Sequence, residues 1–466
     1  MKILIIGAGA TGLGAAWRLQ EQGHTDWQLL EADAVAGGLA ASFVDEKGFT
    51  WDIGGHVQFS HYEYFDKVMM DLLGADGWLH HQRESWVWMR NRFIPYPFQN
   101  NIRRLPPDDL EKCLTGLVQL YREPPAKPKN FHEWVLATFG RGIAEVFLEP
   151  YNFKVWAHPL ALMNTHWVGE RVAVTDLNRV LHNIVHQKDD LSWGPNTTFG
   201  FPKHGGTGAI WRSCAGRLPQ SQLHFNTTVR AIDLARRQVT CTDGRTFGYD
   251  RLISTLPLRE LIRLTGQSQW EETAQQGLLY SSSNIFGLGL RGQPKPELAT
   301  KCWMYFPEDN CPFYRVTIFS NYSPNNVPDI RQHWSLMCEV SESTHKPVNQ
   351  QTILEDVIQG ALNTGLISRR EEIISTWQYR ANYGYPTPGL GRDDALAKIL
   401  PFFDKHEVYS RGRFGAWKYE VSNQDHSFMQ GVEIAERLLT GRAEITIADP
   451  NHVNAKKHPF PYERWQ

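Results

Sequence analysis

The chain is poor in the residues that would build a cross-linked or metal-held scaffold. Its six cysteines, at positions 113, 214, 241, 302, 311 and 338 of 466, form neither a C-x-x-C pair nor a zinc spacing. A disulfide framework and a cysteine-built metal centre are therefore poor readings, and no metal is expected. The thiols read as reduced groups in a cytoplasmic protein. No stretch approaches the run of about eighteen apolar residues that a membrane-spanning helix requires. Lysine and arginine form no block and the formal net charge is only −2, which leaves no electrostatic footprint for nucleic acid or a lipid surface. Repeats and low-complexity segments are also missing. What is present is an ordinary enzyme-like balance, 21% charged and 41% hydrophobic, which excludes a disordered or fibrous chain. At about 150 residues per domain the length implies two or three domains. Aromatic residues are plentiful, with 17 tryptophans and 16 tyrosines against 8 methionines, and such planes suit sugars and heterocycles as well as cores.

Along the chain the hydrophobic period changes several times. Lys2–Gly7 reads as a buried strand. A glycine-rich turn interrupts its apolar run at once, so the strand reading prevails over a leader peptide. Gly12–Gln22 follows as a helix and Trp27–Glu31 as a second strand. Leu105 to about Asp190 is helical in texture, with a proline-rich break at 124–128. Strands with turn signals follow at Val229–Ile232, Gln238–Thr242 and Leu252–Leu256. Closely spaced β-rich segments at Ser281–Arg291, Cys302–Phe306, Phe313–Tyr322 and His333–Ser341 predict an antiparallel sheet. A helix is expected at Gln350–Leu362, strands at Ile373–Tyr379 and Glu407–Arg411, and a last helix at Ser427–Leu439. The fold class is α/β: a Rossmann-like cofactor-binding domain with a helical insertion domain and an antiparallel β-sheet domain. The expected division is 1–80 with 200–265 and 400–450 for the cofactor domain, 105–195 for the helices, and 82–100 with 275–390 for the sheet.

The sharpest local signal is Gly7-Ala8-Gly9-Ala10-Thr11-Gly12, a G-x-G-x-x-G between a strand and a helix. Gly7 allows the tight turn, Gly9 lets a pyrophosphate approach the backbone, and Gly12 lets helix and strand pack closely. The helix N-terminus adds unpaired N–H groups and a positive dipole end. Glu31 stands at the end of the next strand, 19 residues after Gly12, where a carboxylate accepts ribose hydroxyls. Gly37-Gly38 and Asp52-Ile53-Gly54-Gly55-His56 then match FAD proteins in which the chain stays close to an extended flavin. Near the other end Gly412-Arg413-Phe414-Gly415 follows a strand, and Asn423-Gln424-Asp425 is placed to cap the helix from Ser427. That helix N-terminus suits the negative edge of a reduced flavin. Gly7, Gly9, Gly12, Glu31, Gly38, Gly55, His56, Gly412, Arg413, Asn423, Gln424 and Ser427 are the candidate cofactor residues.

Longer motifs carry a resemblance. Trp51–Val57 (WDIGGHV), Pro95–Asn101 (PYPFQNN), Pro150–Trp156 (PYNFKVW), Gly169–Ala173 (GERVA) and Phe306–Arg315 (FPEDNCPFYR) resemble the eukaryotic-type UDP-galactopyranose mutases. So do 193–196 (WGPN), Gly384–Pro388 (GYPTP), Arg411–Gly415 (RGRFG) and Gln424–Met429 (QDHSFM). The similarity runs from the first strand to about Leu439, and the chain is shorter than the fungal members around Asn326–His333.

The resemblance implies an isomerase interconverting UDP-galactopyranose and UDP-galactofuranose. In that family reduced FAD attacks the anomeric carbon through N5, UDP leaves and later returns, and no net redox occurs. Covalent catalysis of this kind divides one prohibitive ring contraction into feasible steps. By the same resemblance Arg171 and Arg315 hold the diphosphate, a task suited to the guanidinium fork. Tyr305, Tyr385 and Tyr419 donate hydroxyls to it. Tyr96, Phe98, Gln99, Asn152 and Trp156 form the uridine pocket, while Trp303, Asn196, Arg315 and Asn423 surround the sugar. His56 lies against the isoalloxazine. Arg83, Ser85 and Arg413 match positions that contact NADPH, the external reductant, which would bind transiently because no second Rossmann fingerprint is present. His56, Arg171, Arg315 and Asn196 are the candidate catalytic residues. Family members are commonly homo-oligomers.

Two segments, Trp167–Leu177 and 191–198, are expected to close over bound nucleotide and exclude water. Three competing readings remain on the sequence alone. A mutase for another nucleotide sugar would carry the same motifs. A flavin amine oxidase or desaturase would share the scaffold, though without both diphosphate arginines and the uridine motifs. A non-catalytic FAD-binding protein would turn over nothing.

Overall fold

The computed structural model describes residues 1–123, 125–191, 194 and 197–463, with the side chain of residue 170 excepted. The first unit is a strand–helix–strand: β1 (Ile3–Ile6), α1 (Ala10–Glu21) and β2 (Trp27–Leu30). β1 lies at the centre of a five-stranded parallel sheet in the order Val408–Ser410, Arg251–Ser254, β1, β2, Leu223–His224. Ile3 is in register with both Arg251 and Trp27.

All four β1 residues are buried, as a parallel strand covered on both faces demands. Alternation sends Ile3 and Ile5 into one core with Leu13, Trp211 and Phe428. Leu4 and Ile6 enter a second core with Leu252, Ile262 and Ile399. The last long helix, Gln424–Thr440, lies against α1, so the two ends of the sequence build one layer. An antiparallel three-stranded ribbon, Val229–Asp233, Gln238–Cys241 and Thr246–Gly248, is appended beside it.

The larger sheet has seven strands in the order Ile373–Pro386, Tyr280–Arg291, His333–Glu342, Arg315–Ile318, Trp303–Tyr305, Ser85–Met89, Arg92–Pro95. Its pairs are antiparallel except one. Trp303–Tyr305 runs parallel to Ser85–Met89, so the sheet is mixed rather than purely antiparallel. The cause is topological: Ser85–Met89 arrives from a distant part of the chain and need not obey hairpin polarity. The strand expected to stop at Tyr379 continues to Pro386, because beyond an irregularity in the ladder Tyr385 and Pro386 still pair with Ser281 and Tyr280.

The helical segment comprises Pro107–Arg122, Phe131–Ile143, a π-turn at Ala144–Leu148, Glu149–Trp156 and Leu177–Val185. Phe98, Leu117, Phe139, Phe147 and Trp156 share its core. The helices Glu63–Leu73, Gly208–Arg217, Leu258–Leu264 and Arg392–Lys405 were not among the expected elements, and in the last of them Pro401 sits inside the helix. All six cysteines are buried and unpaired. Among the described residues no helix is long and apolar enough to cross a membrane.

Candidate active site

A cavity of about 570 Å³ opens beyond the carboxyl ends of β1 and Arg251–Ser254, the position at which open α/β sheets bind ligands. Gly7 turns there with φ +100°, and a Cβ would fall 2.1 Å from Thr255 Oγ1. Gly12 faces away from the cavity and packs so closely that a Cβ would lie 1.9 Å from the Gly7 carbonyl oxygen. Glu31 closes the loop: Ala8 N–H donates to its Oε2 at 2.6 Å and Asp33 N–H to its Oε1 at 2.9 Å. α1 begins two residues earlier than the sequence suggested, and no side chain caps its N-terminus at Gly9. The distant helix Gln424–Thr440 is alike. Asn423 occupies its N-cap position, but its side chain makes no capping bond, contrary to expectation, and the helix starts at Gln424 rather than Ser427. Asn423 Oδ1 instead accepts from Arg171 Nη1 at 3.5 Å. Two uncapped N-termini therefore meet one cavity, and each presents N–H groups to negative charge.

Asp425, in the first turn of that second helix, is buried between two imidazoles. His61 Nδ1 lies 2.8 Å from its Oδ2 and His426 Nδ1 3.2 Å from its Oδ1. The two imidazoles hold its carboxyl far below the ordinary range against the opposing effect of burial. This clamp joins the helix N-terminus to the segment that follows His56.

His56 lines the cavity, and its Nδ1 is buried without a partner among the described residues. Desolvation pushes its pKa down to about 4, opposed by Glu339 and reinforced by Arg413 and Arg315. The ring is therefore neutral at pH 7.

Arg315 is already paired. Its Nε and Nη2 donate to Glu339 at 2.7 and 2.8 Å, and the two residues sit opposite each other across adjacent antiparallel strands. Glu339 also accepts from Gly55 N–H at 3.0 Å and from the Tyr314 hydroxyl at 2.7 Å. The sequence reading missed Glu339. Its one local signal was a lone acid between Cys338 and Val340 in an apolar strand.

Arg171 and Arg413 differ from Arg315. Arg171 Nη2 donates to the Glu420 carbonyl at 3.0 Å and its guanidinium stacks 4.7 Å from the Tyr419 ring centroid. Arg413 donates to the Gly384 carbonyl at 3.0 Å and to Ser422 Oγ at 2.9 Å, and lies 4.9 Å from the Tyr385 ring. Among the described residues neither touches a carboxylate. Burial, with Arg171 nearby, lowers the pKa of Arg413. Tyr96 and Tyr305 stand 5.1 Å apart, and Trp303 Nε1 donates to the Tyr305 hydroxyl at 2.6 Å. Burial raises the pKa of Tyr96, Tyr305 and Tyr385, so they remain neutral donors.

Most expected site residues thus meet in one space, including Gly9, Gly38, Gly55, Arg83, Gly412, Asn423, Gln424 and Ser427. Besides Gly12, five do not reach its wall. Phe98 is buried against Phe147, and Gln99 donates to the Ala173 carbonyl at 2.6 Å. Asn152 bonds back to the Leu148 carbonyl at 2.8 Å, and Trp156 packs edge-on to Tyr419 and Tyr385. Ser85 is buried in its strand, in register with Trp303. They support the wall from behind. Asn196 lies outside the described residues.

Residues 10–394 match the family described as flavin containing amine oxidoreductase, and the chain belongs to that family. The fold is the one shared with a fatty acid isomerase from P. acnes, at 14% identity over 94% of this chain and 99% of that one with a TM-score of 0.64. Within the family the chain groups with the UDP-galactopyranose mutases. It is 51% identical to a reduced UDP-galactopyranose mutase of known crystal structure, over 99% of both chains, with a TM-score of 0.96. Among curated proteins, a zeta-carotene desaturase of Zea mays is 40% identical over 76 residues, 16% of this chain and 13% of the desaturase. The residues present fit a flavin dinucleotide: a glycine turn beside Glu31 at one end, a second uncapped helix N-terminus at the other, and the unpartnered His56 Nδ1 between them.

Proposed function

We propose that this chain is an isomerase that interconverts UDP-galactopyranose and UDP-galactofuranose. The observation that carries the reading is the pair of guanidiniums, Arg171 and Arg413, held in the cavity by neutral groups alone among the described residues. A half-buried cation without a carboxylate is poorly compensated until an anion completes it, and a diphosphate supplies that anion. Amines and long apolar substrates do not.

When bound and reduced, FAD supplies the nucleophile for the anomeric carbon without net electron transfer. The protein's residues supply the remainder. Glu31 accepts ribose hydroxyls, and the first-turn amides of α1 meet the pyrophosphate. His56, neutral at pH 7, offers Nδ1 to take or return one proton beside the reacting ring. Arg171 and Arg413 stabilise the charge that gathers on UDP as it leaves, with Tyr385 and Tyr419 beside them. Arg315, oriented by Glu339, presents its remaining N–H groups toward the sugar with Trp303 and Asn423. Tyr96 is the aromatic wall for uracil. NADPH serves as the external reductant, with Arg83 and Arg413 as its cationic contacts. Closure of Trp167–Leu177 over the nucleotide excludes water.

The test is anaerobic incubation with UDP-galactofuranose, with and without dithionite, followed by chromatography of the nucleotide sugars. Conversion to UDP-galactopyranose in the reduced sample alone is the expected result. A fully loaded, reduced protein that converts nothing refutes the assignment, and oxygen consumption with an amine would establish the oxidase instead.

A further inference from the structure

Behind Arg171 lies a second, smaller cavity of about 190 Å³, bounded by the segment that carries this arginine and by the helix Pro450–Ala455. Two buried polar atoms at its wall have no partner among the described residues, the donor Arg171 Nε and the acceptor Asn454 Oδ1. The same two side chains share a third group. Asn454 Nδ2 and Arg171 Nη2 each donate to the Glu420 carbonyl oxygen at 3.0 Å. That carbonyl is fixed from its own side chain as well, because Arg392 grips the Glu420 carboxylate through two bonds of 2.7 and 2.9 Å. The short helix is N-capped by Asp449, whose carboxylate accepts from His452 N–H at 3.1 Å. Arg171 therefore leans on a backbone oxygen whose direction is set jointly by Arg392 and by a residue close to the end of the chain.

We propose that Asn454 is a positioning residue for Arg171, setting the angle at which that guanidinium meets the diphosphate. The inference rests on the reading of Arg171 as a diphosphate ligand. Losing the Asn454 amide frees the Glu420 carbonyl from one of its two donors, and a seat shared by two N–H groups becomes a seat held by one. The guanidinium then settles against Tyr419 without a fixed tilt, and a bidentate grip on phosphate oxygens requires that tilt. None of Asn454, Glu420 and Arg392 is among the residues expected to form the uridine pocket.

The discriminating measurement is calorimetric binding of UDP and of uridine to the FAD-loaded enzyme, comparing wild type with Asn454→Ala and Asn454→Leu. One hydrogen bond's worth of positioning predicts UDP affinity reduced about five- to tenfold in both variants, with uridine affinity unchanged. The leucine variant keeps the side chain's size but not its amide donor and adds no charge beside Arg171, so its behaviour separates lost positioning from lost packing. Equal weakening for UDP and uridine would show a merely structural role, and unchanged UDP binding would show an idle contact; either overturns the proposal. If wild type itself binds uridine as tightly as UDP, the diphosphate reading of Arg171 fails first.

Discussion

The two ends of the cavity are built on opposite plans. At the cofactor end the functional groups are mostly backbone: glycine turns, two uncapped helix N-termini and one carboxylate whose oxygens are already engaged by amides. At the nucleotide end they are side chains, and the cations there differ among themselves. Arg315 is neutralised by Glu339, while Arg171 and Arg413 rest on carbonyls, a hydroxyl and aromatic rings. The first end is rigid and generic, suited to a group held permanently. The second keeps unspent charge for a group that arrives and leaves.

Gly12→Val attacks the first end where it is tightest, since any Cβ there collides with the Gly7 carbonyl. We expect protein without bound flavin and without activity, read from the absorbance spectrum of the purified material. Arg171→Ala attacks the second. It should leave flavin content intact and lower kcat/KM about 10²- to 10³-fold, as expected when one donor to developing charge is removed. Equal loss of flavin in both variants would erase the distinction between the two ends. Glu339→Gln tests the contrast within the nucleotide end. It strips the buried Arg315 of its counter-charge, and we expect kcat to fall about 10- to 100-fold with a lower Tm, because breaking a buried pair costs about 3 kcal/mol.

The smallest effect concerns His56 in the flavin-free protein. Its pKa is about 4 when folded, against an ordinary value of 6.5. Between those values the unfolded chain binds the extra proton, so stability rises with pH across that window. Thermal unfolding at pH 5 and pH 7 should show a gain in Tm for wild type that is smaller in His56→Gln. An identical gain would remove the desolvated imidazole from the account.

The same contrast explains what the sequence could show. The glycine turn, α1 and Glu31 lie within the first 31 residues, and local spacing there is enough to specify a dinucleotide site. The nucleotide end draws Tyr96, Arg171, Arg315, Tyr385 and Asn423 from separate segments. Only similarity of long motifs could name them together. The partner of Arg315 was hidden because strand register, not spacing, brings Glu339 opposite it. The extension of one strand to Pro386 was masked by Gly384 and Pro386, which read as breakers, yet this extension carries Gly384 and Tyr385 to Arg413. The helix Pro450–Ala455 gave no catalytic signal at all, and its relation to Arg171 is purely spatial.

The central claim is that the flavin is needed in reduced form but its electrons are not consumed. The direct measurement is to reduce the bound flavin anaerobically with one equivalent of dithionite, add a large excess of UDP-galactofuranose, and follow product and the flavin spectrum together. The account predicts many molecules of UDP-galactopyranose per flavin while the spectrum stays that of the reduced form. Product that stops at one equivalent as oxidised flavin returns would show that the chain is an oxidoreductase and not an isomerase.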